Sequence, residues 1–140
     1  MAEPTEDAVL VRPDLLATSG EASSDLVVGN RVHLAATSCP GCHHVEFPAL
    51  EHCPSCGERA AAIRLSADAE LAGYTAVLHT PPGARVEVPY YVGVARFAEG
   101  ICVMGLLLGV NDDEQPTIGE PIETVVARPF DGALTYAFQL

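Results

Sequence analysis

Two pairs of cysteines constrain this chain more than any other feature of its sequence. Cys39-Pro-Gly-Cys42 and Cys53-Pro-Ser-Cys56 are separated by ten residues, a spacing at which a β-hairpin can bring four thiolates around one ion. Tetrahedral four-sulfur sites favour zinc or iron, and closed zinc sites of this kind are structural because no coordination position stays open. A segment of about twenty residues has almost no core, so metal binding is what folds it. The sequence therefore predicts a zinc ribbon with one structural Zn²⁺ per chain, held by Cys39, Cys42, Cys53 and Cys56.

The alternative for the first pair alone is a dithiol redox motif of the kind found beside βαβ patterns. No such pattern surrounds it, and the second pair follows at ribbon spacing, so a metal site is favoured. His43, His44 and His52 could compete as ligands, but four cysteines already complete a tetrahedron. We therefore expect the histidines either to be solvated or to support the ligand cysteines from outside the coordination sphere. Gly57 follows the second pair at a position that often takes positive φ. His43 occupies the equivalent position after the first pair, and histidine is among the few residues that tolerate this geometry.

After residue 60 the sequence changes to short runs rich in Val, Ile, Leu and Tyr, separated by turn signals such as Glu99-Gly100 and Asp131-Gly132. This texture is typical of a small all-β domain, and interior glycines suit the bends that close a barrel. The predicted fold class is therefore mainly β, a zinc ribbon followed by a closed or nearly closed barrel of five or six strands. The predicted strands are Ala61 to Leu65, Leu71 to His79, Tyr90 to Phe97, Ile101 to Leu108, Ile122 to Ala127 and Leu134 to Gln139.

The charge of the chain argues against some classes of binding partner. The formal net charge is −12, and seven basic residues, all arginine, stand among nineteen carboxylates. A protein that binds the phosphate backbone needs a basic patch, so nucleic acid is a poor partner. The apolar run from Ile101 to Val110 is too short to span a bilayer. The first ten residues are acidic where a signal peptide would be basic, so we expect no membrane partner and a cytoplasmic location.

These patterns divide the chain into three predicted segments. Residues 1–24 read as a flexible N-terminal arm, either a plain disordered tail or a docking stretch with a brief helix. Residues 25–60 are predicted to hold the zinc ribbon and its lead-in, and periodicity does not decide whether residues 25–36 form strands or a helix. Residues 61–140 are predicted to form the barrel.

The remaining reactive side chains do not form a catalytic motif, so we predict no catalytic residue in this chain. Cys102 lies in an apolar run, where a lone cysteine is expected to be a small buried hydrophobe. His79, Tyr90 and Tyr91 can either line a site or serve as rim and core residues. Four arginines can bind phosphate or carboxylate groups, although surface ion pairs with the many acids are favoured, namely Arg64, Arg85, Arg96 and Arg128.

Three stretches together resemble the DUF35 family of acyl-CoA-associated OB-fold proteins: CPGCHHVEFPALEHCPSCG, PPGARVEVPYYVGVARFAEGICVMG and TIGEPIETVVARP. The resemblance rests on Phe47-Pro48 between the cysteine pairs and on the order of ribbon, barrel and Ile-Gly-Glu-Pro-Ile turn. It extends from Ala36 to Leu140. The sequence departs from the family in having His43 where a glycine is usual, and in lacking a clear amphipathic helix before Cys39.

The resemblance implies a rubredoxin-like zinc ribbon packed on an OB-fold-like β-barrel. It also implies a non-catalytic subunit in a hetero-oligomer with a thiolase-like catalytic subunit, which makes or cleaves C–C bonds in acyl-CoA compounds. A CoA thioester could then be shared at the interface between the two subunits. One alternative is an independent small-molecule or acyl-CoA binding protein or enzyme that uses the region from Pro81 to Tyr91. A nucleic-acid-binding OB module is a further alternative, and the charge opposes it.

Overall fold

The structure is a computed structural model that describes residues 15–17, 27–80, 82, 87–111, 113–128 and 134–140. Within these ranges the chain is built from strands, and no helix has the length and apolar character needed to cross a bilayer. The mainly β fold class predicted from the sequence is confirmed. The strands are β1 (Leu16–Ala17), β2 (His33–Ser38), β3 (Val45–Glu46), β4 (Ala61–Arg64), β5 (Asp68–Val77), β6 (Tyr90–Arg96), β7 (Cys102–Leu108), β8 (Pro121–Ala127) and β9 (Thr135–Gln139).

Strands β1 to β4 form an antiparallel sheet around β2. The β2–β3 pairing ends at Ser38 and Val45, so the first cysteine pair lies in the loop between these strands. Strand β4 pairs with β2 from Ala35 opposite Arg64 to Ser38 opposite Ala61. Both cysteine pairs are therefore held at the same end of one small sheet.

Strands β5 to β9 close into a barrel in the order β5-β6-β7-β9-β8. All neighbours in it are antiparallel except β7 and β9, which run parallel and pair only at Leu107–Phe138 and Leu108–Gln139. Five of the six predicted strands form this barrel. The first of the six predicted strands, β4, pairs with β2 of the ribbon sheet instead. Alternation along a strand predicts which face is buried, but it carries no information about which strand lies beside it.

A continuous core joins the sheet to the barrel. Leu34 on β2 and Phe138 on β9 are both fully buried in the same apolar cluster. The lead-in to β2 also runs along β8, where the Gly29 amide donates to the Val126 carbonyl at 2.8 Å. At the other side, the Phe47 ring meets the Tyr136 ring edge-on at a centroid distance of 5.9 Å. The ribbon is thus packed directly on the barrel.

The segment before β2 contributes to this core. Leu16, which lies in the predicted flexible arm, is buried and pairs with Leu34. Residues 1–14 and 18–24 lie outside the described residues, so the arm stays a prediction for them. Residues 25–26 also lie outside, while residues 33–36 belong to a strand rather than a helix. The predicted division between residues 60 and 61 stays a prediction, and the strand that follows it belongs to the ribbon sheet.

Gly105 allows Tyr136 to cross β7 where β7 and β9 separate. The Tyr136 hydroxyl donates to the Met104 carbonyl at 2.6 Å, which satisfies a backbone group that has no ladder partner on β9. A Cβ at position 105 would lie 2.6 Å from Cε2 of Tyr136 and 3.1 Å from Cε2 of Phe138. The ring therefore needs a residue without a side chain beneath it.

We expect Gly105→Ala to lower the free energy of unfolding by about 1–3 kcal/mol, the usual cost of overpacking. Gly73→Ala in β5 is the matched control, because a Cβ there meets nothing within 4 Å. That change should alter stability by less than about 1 kcal/mol. Urea unfolding curves of the two variants give the comparison, and equal stabilities would contradict the close contact at Gly105.

Candidate metal centre

The two cysteine pairs adopt the same backbone arrangement. In the first, the His43 amide donates to the Cys39 carbonyl at 2.8 Å and the Cys39 amide donates to the His44 carbonyl at 2.9 Å. In the second, the Gly57 amide donates to the Cys53 carbonyl at 2.9 Å and the Cys53 amide donates to the Glu58 carbonyl at 2.7 Å. These tight turns aim both sulfurs of each pair toward the other pair.

The four sulfurs meet at distances that suit one metal ion. All four Sγ atoms lie within 4.8 Å of one another. Cys39 and Cys56 are 3.5 Å apart, and Cys42 and Cys53 are 3.6 Å apart. A tetrahedron with Zn–S bonds of 2.3 Å has edges of about 3.8 Å, so these separations fit a four-thiolate zinc site without rearrangement.

Backbone amides and the neighbouring thiols set the charge on the sulfurs. The Cys42 amide, which donates to the Cys39 sulfur at 3.4 Å, lowers the pKa of that thiol to about 7. The Glu58 amide lowers the pKa of Cys56, but the adjacent Cys39 sulfur and burial outweigh it and raise that pKa to about 12. The first thiolate therefore forms easily and the last forms against the charge of its neighbours. A divalent cation at the centre would offset the repulsion between the thiolates, so the four sulfurs are suited to binding one.

The residue after each pair has positive φ, as the sequence predicts. Gly57 has φ 82° and His43 has φ 67°. An L-residue pays about 1–2 kcal/mol for this conformation, and a β-branched residue tolerates it worst. His43 is exposed, so its side chain makes no buried contact that would offset the cost.

We expect His43→Gly to keep one bound metal per chain and to resist a chelator at least as well as the natural chain. His43→Val should release metal more readily, because valine disfavours the backbone that the knuckle needs. Metal retention during titration with a chelator measures both variants. Loss of metal in His43→Gly would instead make the imidazole a ligand.

The other candidate histidines lie outside the cluster of four sulfurs. His44 bonds to Glu46, with Nε2 2.7 Å from Oε1, and His52 is exposed beside the second pair. His33 is a residue that the sequence did not single out. Its Nδ1 lies 2.7 Å from the Leu65 carbonyl, which ties β2 to the start of the barrel. Among the described residues, the group of side chains suited to a metal is the four cysteines.

Cys102 differs from its expectation, because it is exposed rather than buried. Val103 faces the core, and alternation along β7 turns Cys102 and Met104 outward. Of the other candidates, His79 is exposed and Tyr91 packs against the core. Tyr90 is half-buried at the start of β6, and most of the stretch between Pro81 and Glu87 lies outside the described residues.

Of the four candidate phosphate-binding arginines, the three that the structure describes lie on or beside different strands, Arg64 on β4, Arg96 on β6 and Arg128 just after β8. Arg96 donates to Glu70 at 2.7 Å, so the cation beside the groove between β5, β6 and β8 is already paired. Arg64 and Arg128 are exposed on β4 and just after β8. Arg85 lies outside the described residues.

A groove lies where the ribbon meets the barrel, and sequence reasoning did not predict it. Its side chains are mostly apolar, but polar atoms form about half of its wall, and its residues come from β7, β9, the β3–β4 loop and the residue before β1. The Phe47-Pro48 step was a signal for it, because an aromatic residue between two metal knuckles has to pack on something outside the ribbon. The groove is lined by Leu15, Phe47, Pro48, Cys102, Val103, Met104 and Tyr136.

Comparison with known proteins supports the architecture. Residues 62–128 match the family model of the ChsH2 C-terminal OB-fold domain. The solved structure of the Ltp2–ChsH2(DUF35) aldolase is similar, with a TM-score of 0.63, 23% identity, and 76% of this chain and 84% of that chain covered. A DUF35 protein of unknown function from Sulfolobus solfataricus is also similar, with a TM-score of 0.51, 15% identity, and coverage of 77% and 75%. No curated protein matches the sequence.

These findings confirm the predicted resemblance to DUF35 proteins and the predicted fold, a ribbon with four clustered cysteines followed by an OB-fold barrel. At these identities the structural likeness shows the fold alone. The role of Cys39, Cys42, Cys53 and Cys56 as metal ligands stays a prediction.

Proposed function

We propose that this chain is a non-catalytic accessory subunit of an enzyme complex. It matches the OB-fold family model of ChsH2 and shares its architecture with DUF35 proteins. The complex would contain a thiolase-superfamily enzyme that makes or cleaves C–C bonds in acyl-CoA compounds. The observation that carries this proposal is the similarity to the Ltp2–ChsH2(DUF35) aldolase, in which a DUF35 protein is named together with a second protein. The similarity covers 76% of this chain and 84% of that one.

In this role the metal is structural. One Zn²⁺ held by Cys39, Cys42, Cys53 and Cys56 would fix the ribbon and hold Phe47 against Tyr136. Four thiolates leave no open coordination position, so the ion would supply folding energy rather than chemistry. The catalytic residues would belong to the thiolase-like partner, which agrees with the lack of a nucleophile–base motif in this sequence.

A CoA thioester bound at the subunit interface would draw most of its cationic contacts from the partner. Three of the seven arginines, Arg31, Arg59 and Arg96, already form ion pairs with acids of this chain. CoA phosphates are held by charge-assisted hydrogen bonds from free arginines and lysines. The partner would therefore supply most of the cations, and Arg64, which is exposed on β4, stays a candidate from this chain.

The test is native mass spectrometry of the tagged chain purified from its own cells. We expect one zinc ion per chain and a stoichiometric second protein of thiolase type, and the complex should act on acyl-CoA compounds when the isolated chain does not. A chain that carries zinc but purifies without a protein partner would overturn the accessory role. Turnover of acyl-CoA by the isolated chain would favour the alternative of an independent enzyme.

A further inference from the structure

The outer surface of β5, β6 and β7 is unusually apolar. Leu71, Ala95, Val103 and Leu107 on these strands face the core. The alternate side chains therefore face outward, and the register places Thr75, Val92 and Leu106 in one row and Val94 beside Met104 in the next. We refer to this outer surface as the apolar face, and its residues are Thr75, Val77, Val92, Val94, Met104 and Leu106. Thr75 and Met104 are exposed and the other four are half-buried, with Leu106 at the border packed against a second buried cluster on β8 and β9.

The apolar face lacks the polar side chains that usually cover the solvent-exposed side of a sheet. An antiparallel sheet with one side in water normally carries polar residues on that side. None of the six residues is charged, although the chain has nineteen acids and seven arginines. The first charges along the same side of β6 and β5 are Arg96 and Glu70, which bond to each other at 2.7 Å. Met104 lies on the β7 side of the face and is 63% exposed. Exposed apolar patches of this kind mark protein interaction sites.

The groove between the ribbon and the barrel continues this face. Met104 belongs to both, and the groove adds the rings of Phe47 and Tyr136 together with Pro48. The face and groove thus place an apolar surface beside a recess, which is the arrangement that an interface with one central anchor uses. A side chain from a partner that enters the recess would touch the ribbon and the barrel together.

We propose that the apolar face and the adjoining groove bind the catalytic partner subunit, an inference that rests on the proposed function. The net charge favours this occupant over a second copy. Two copies joined through the face would bring together chains that each carry a formal charge of −12, and this repulsion opposes self-association. A partner with an apolar patch bordered by lysines and arginines is complementary to both the face and the net charge of this chain.

The first experiment compares Met104→Glu with Ile118→Glu in the full-length chain. Both replace an exposed apolar side chain with an acid, and Ile118, which is 55% exposed in the β7–β8 connection, is not one of the six residues of the apolar face. We expect Met104→Glu to weaken binding to the purified partner at least about tenfold and Ile118→Glu to change it less than about twofold. Zinc content and the unfolding midpoint show that both variants are folded. Val94→Glu is a second variant on the face and should behave like Met104→Glu.

The second experiment follows oxidation of Met104 by dilute hydrogen peroxide in the free chain and in the complex. The sequence has two methionines, Met1 and Met104, so the sulfoxide at Met104 is easily assigned by peptide mass. We expect the oxidation rate of Met104 to fall at least about fivefold in the complex, because docking would exclude the oxidant.

The outcomes separate this inference from the proposed function. If Met104→Glu binds the partner as tightly as the natural chain does, and Met104 of the natural chain is oxidised as fast in the complex as in the free chain, the inference is overturned and the accessory role is left intact. If Met104→Glu loses its partner but that partner is unrelated to thiolases, the face is supported as a docking site and the proposed function is overturned. A homodimer that Met104→Glu dissociates assigns the face to a second copy and overturns the inference. A chain that remains monomeric without a partner overturns both.

Discussion

Cys53→Ser is expected to abolish stoichiometric zinc binding and to unfold the ribbon. The Cys53 sulfur lies 3.6 Å from that of Cys42 and accepts the Ser55 amide at 3.3 Å, so it occupies one corner of the four-sulfur cluster. A serine hydroxyl stays protonated and cannot replace a thiolate. Loss of an outer hydrogen-bond partner alone costs 10–100-fold in metal affinity, so loss of a ligand should cost more than about 100-fold. Zinc per chain, measured by elemental analysis after dialysis against a chelator, should fall from one to near zero.

The matched control is Cys102→Ser, the same change at an exposed cysteine of the barrel. It should retain one zinc per chain and an unchanged unfolding midpoint. The ribbon of Cys53→Ser should lose amide-exchange protection, because short strands without the metal have too little core to stay folded. Complex formation should weaken in parallel, since Phe47 would no longer be held against Tyr136. Full zinc content in Cys53→Ser would remove these four residues as the metal ligands.

The cluster could be predicted from the sequence because its geometry is local. Two residues between the cysteines of a pair are enough to form a tight turn with local hydrogen bonds. The spacing within each pair therefore predicts that its two sulfurs point toward the same centre. The positive φ of His43 followed from the same reasoning. The strands of the barrel were predicted to within a few residues because turn residues and apolar runs mark their ends.

The partners of the strands could not be predicted in this way. Strand β4 has the texture of a barrel strand, but it pairs with β2, because the chain after the second knuckle returns along the ribbon sheet. Likewise, runs such as ICVMGLLLG are apolar at every position, so alternation gives no inward and outward set. Cys102 was therefore expected to be buried and is exposed. The apolar face escaped sequence analysis for the same reason, since a strand that is apolar on both sides reads as fully buried.

The barrel should depend on Phe138 as strongly as the ribbon depends on its metal. Phe138 is fully buried, and its ring lies 6.1 Å from that of Phe97 and 5.6 Å from that of Tyr136. Truncation of a buried phenylalanine to alanine costs about 3–5 kcal/mol, a large share of the stability of a domain of this size. We expect Phe138→Ala to lower the free energy of unfolding by this amount in urea titrations. Leu78→Ala is the control, because Leu78 is 63% exposed and its truncation should cost less than about 0.5 kcal/mol.

Phe138→Ala and Cys53→Ser should affect different parts of the protein, the first the barrel and the second the metal centre. Phe138→Ala should keep one zinc per chain under conditions where it is still folded, because the knuckles are closed by local hydrogen bonds and by the metal. Cys53→Ser should lose zinc while the strands of the barrel keep most of their amide-exchange protection. Most residues of the core that the ribbon and the barrel share, such as Leu71, Ala95 and Phe138, belong to barrel strands. If Phe138→Ala also released its zinc in the folded state, the metal centre would depend on the barrel core, and the ribbon and barrel would then be one cooperative unit.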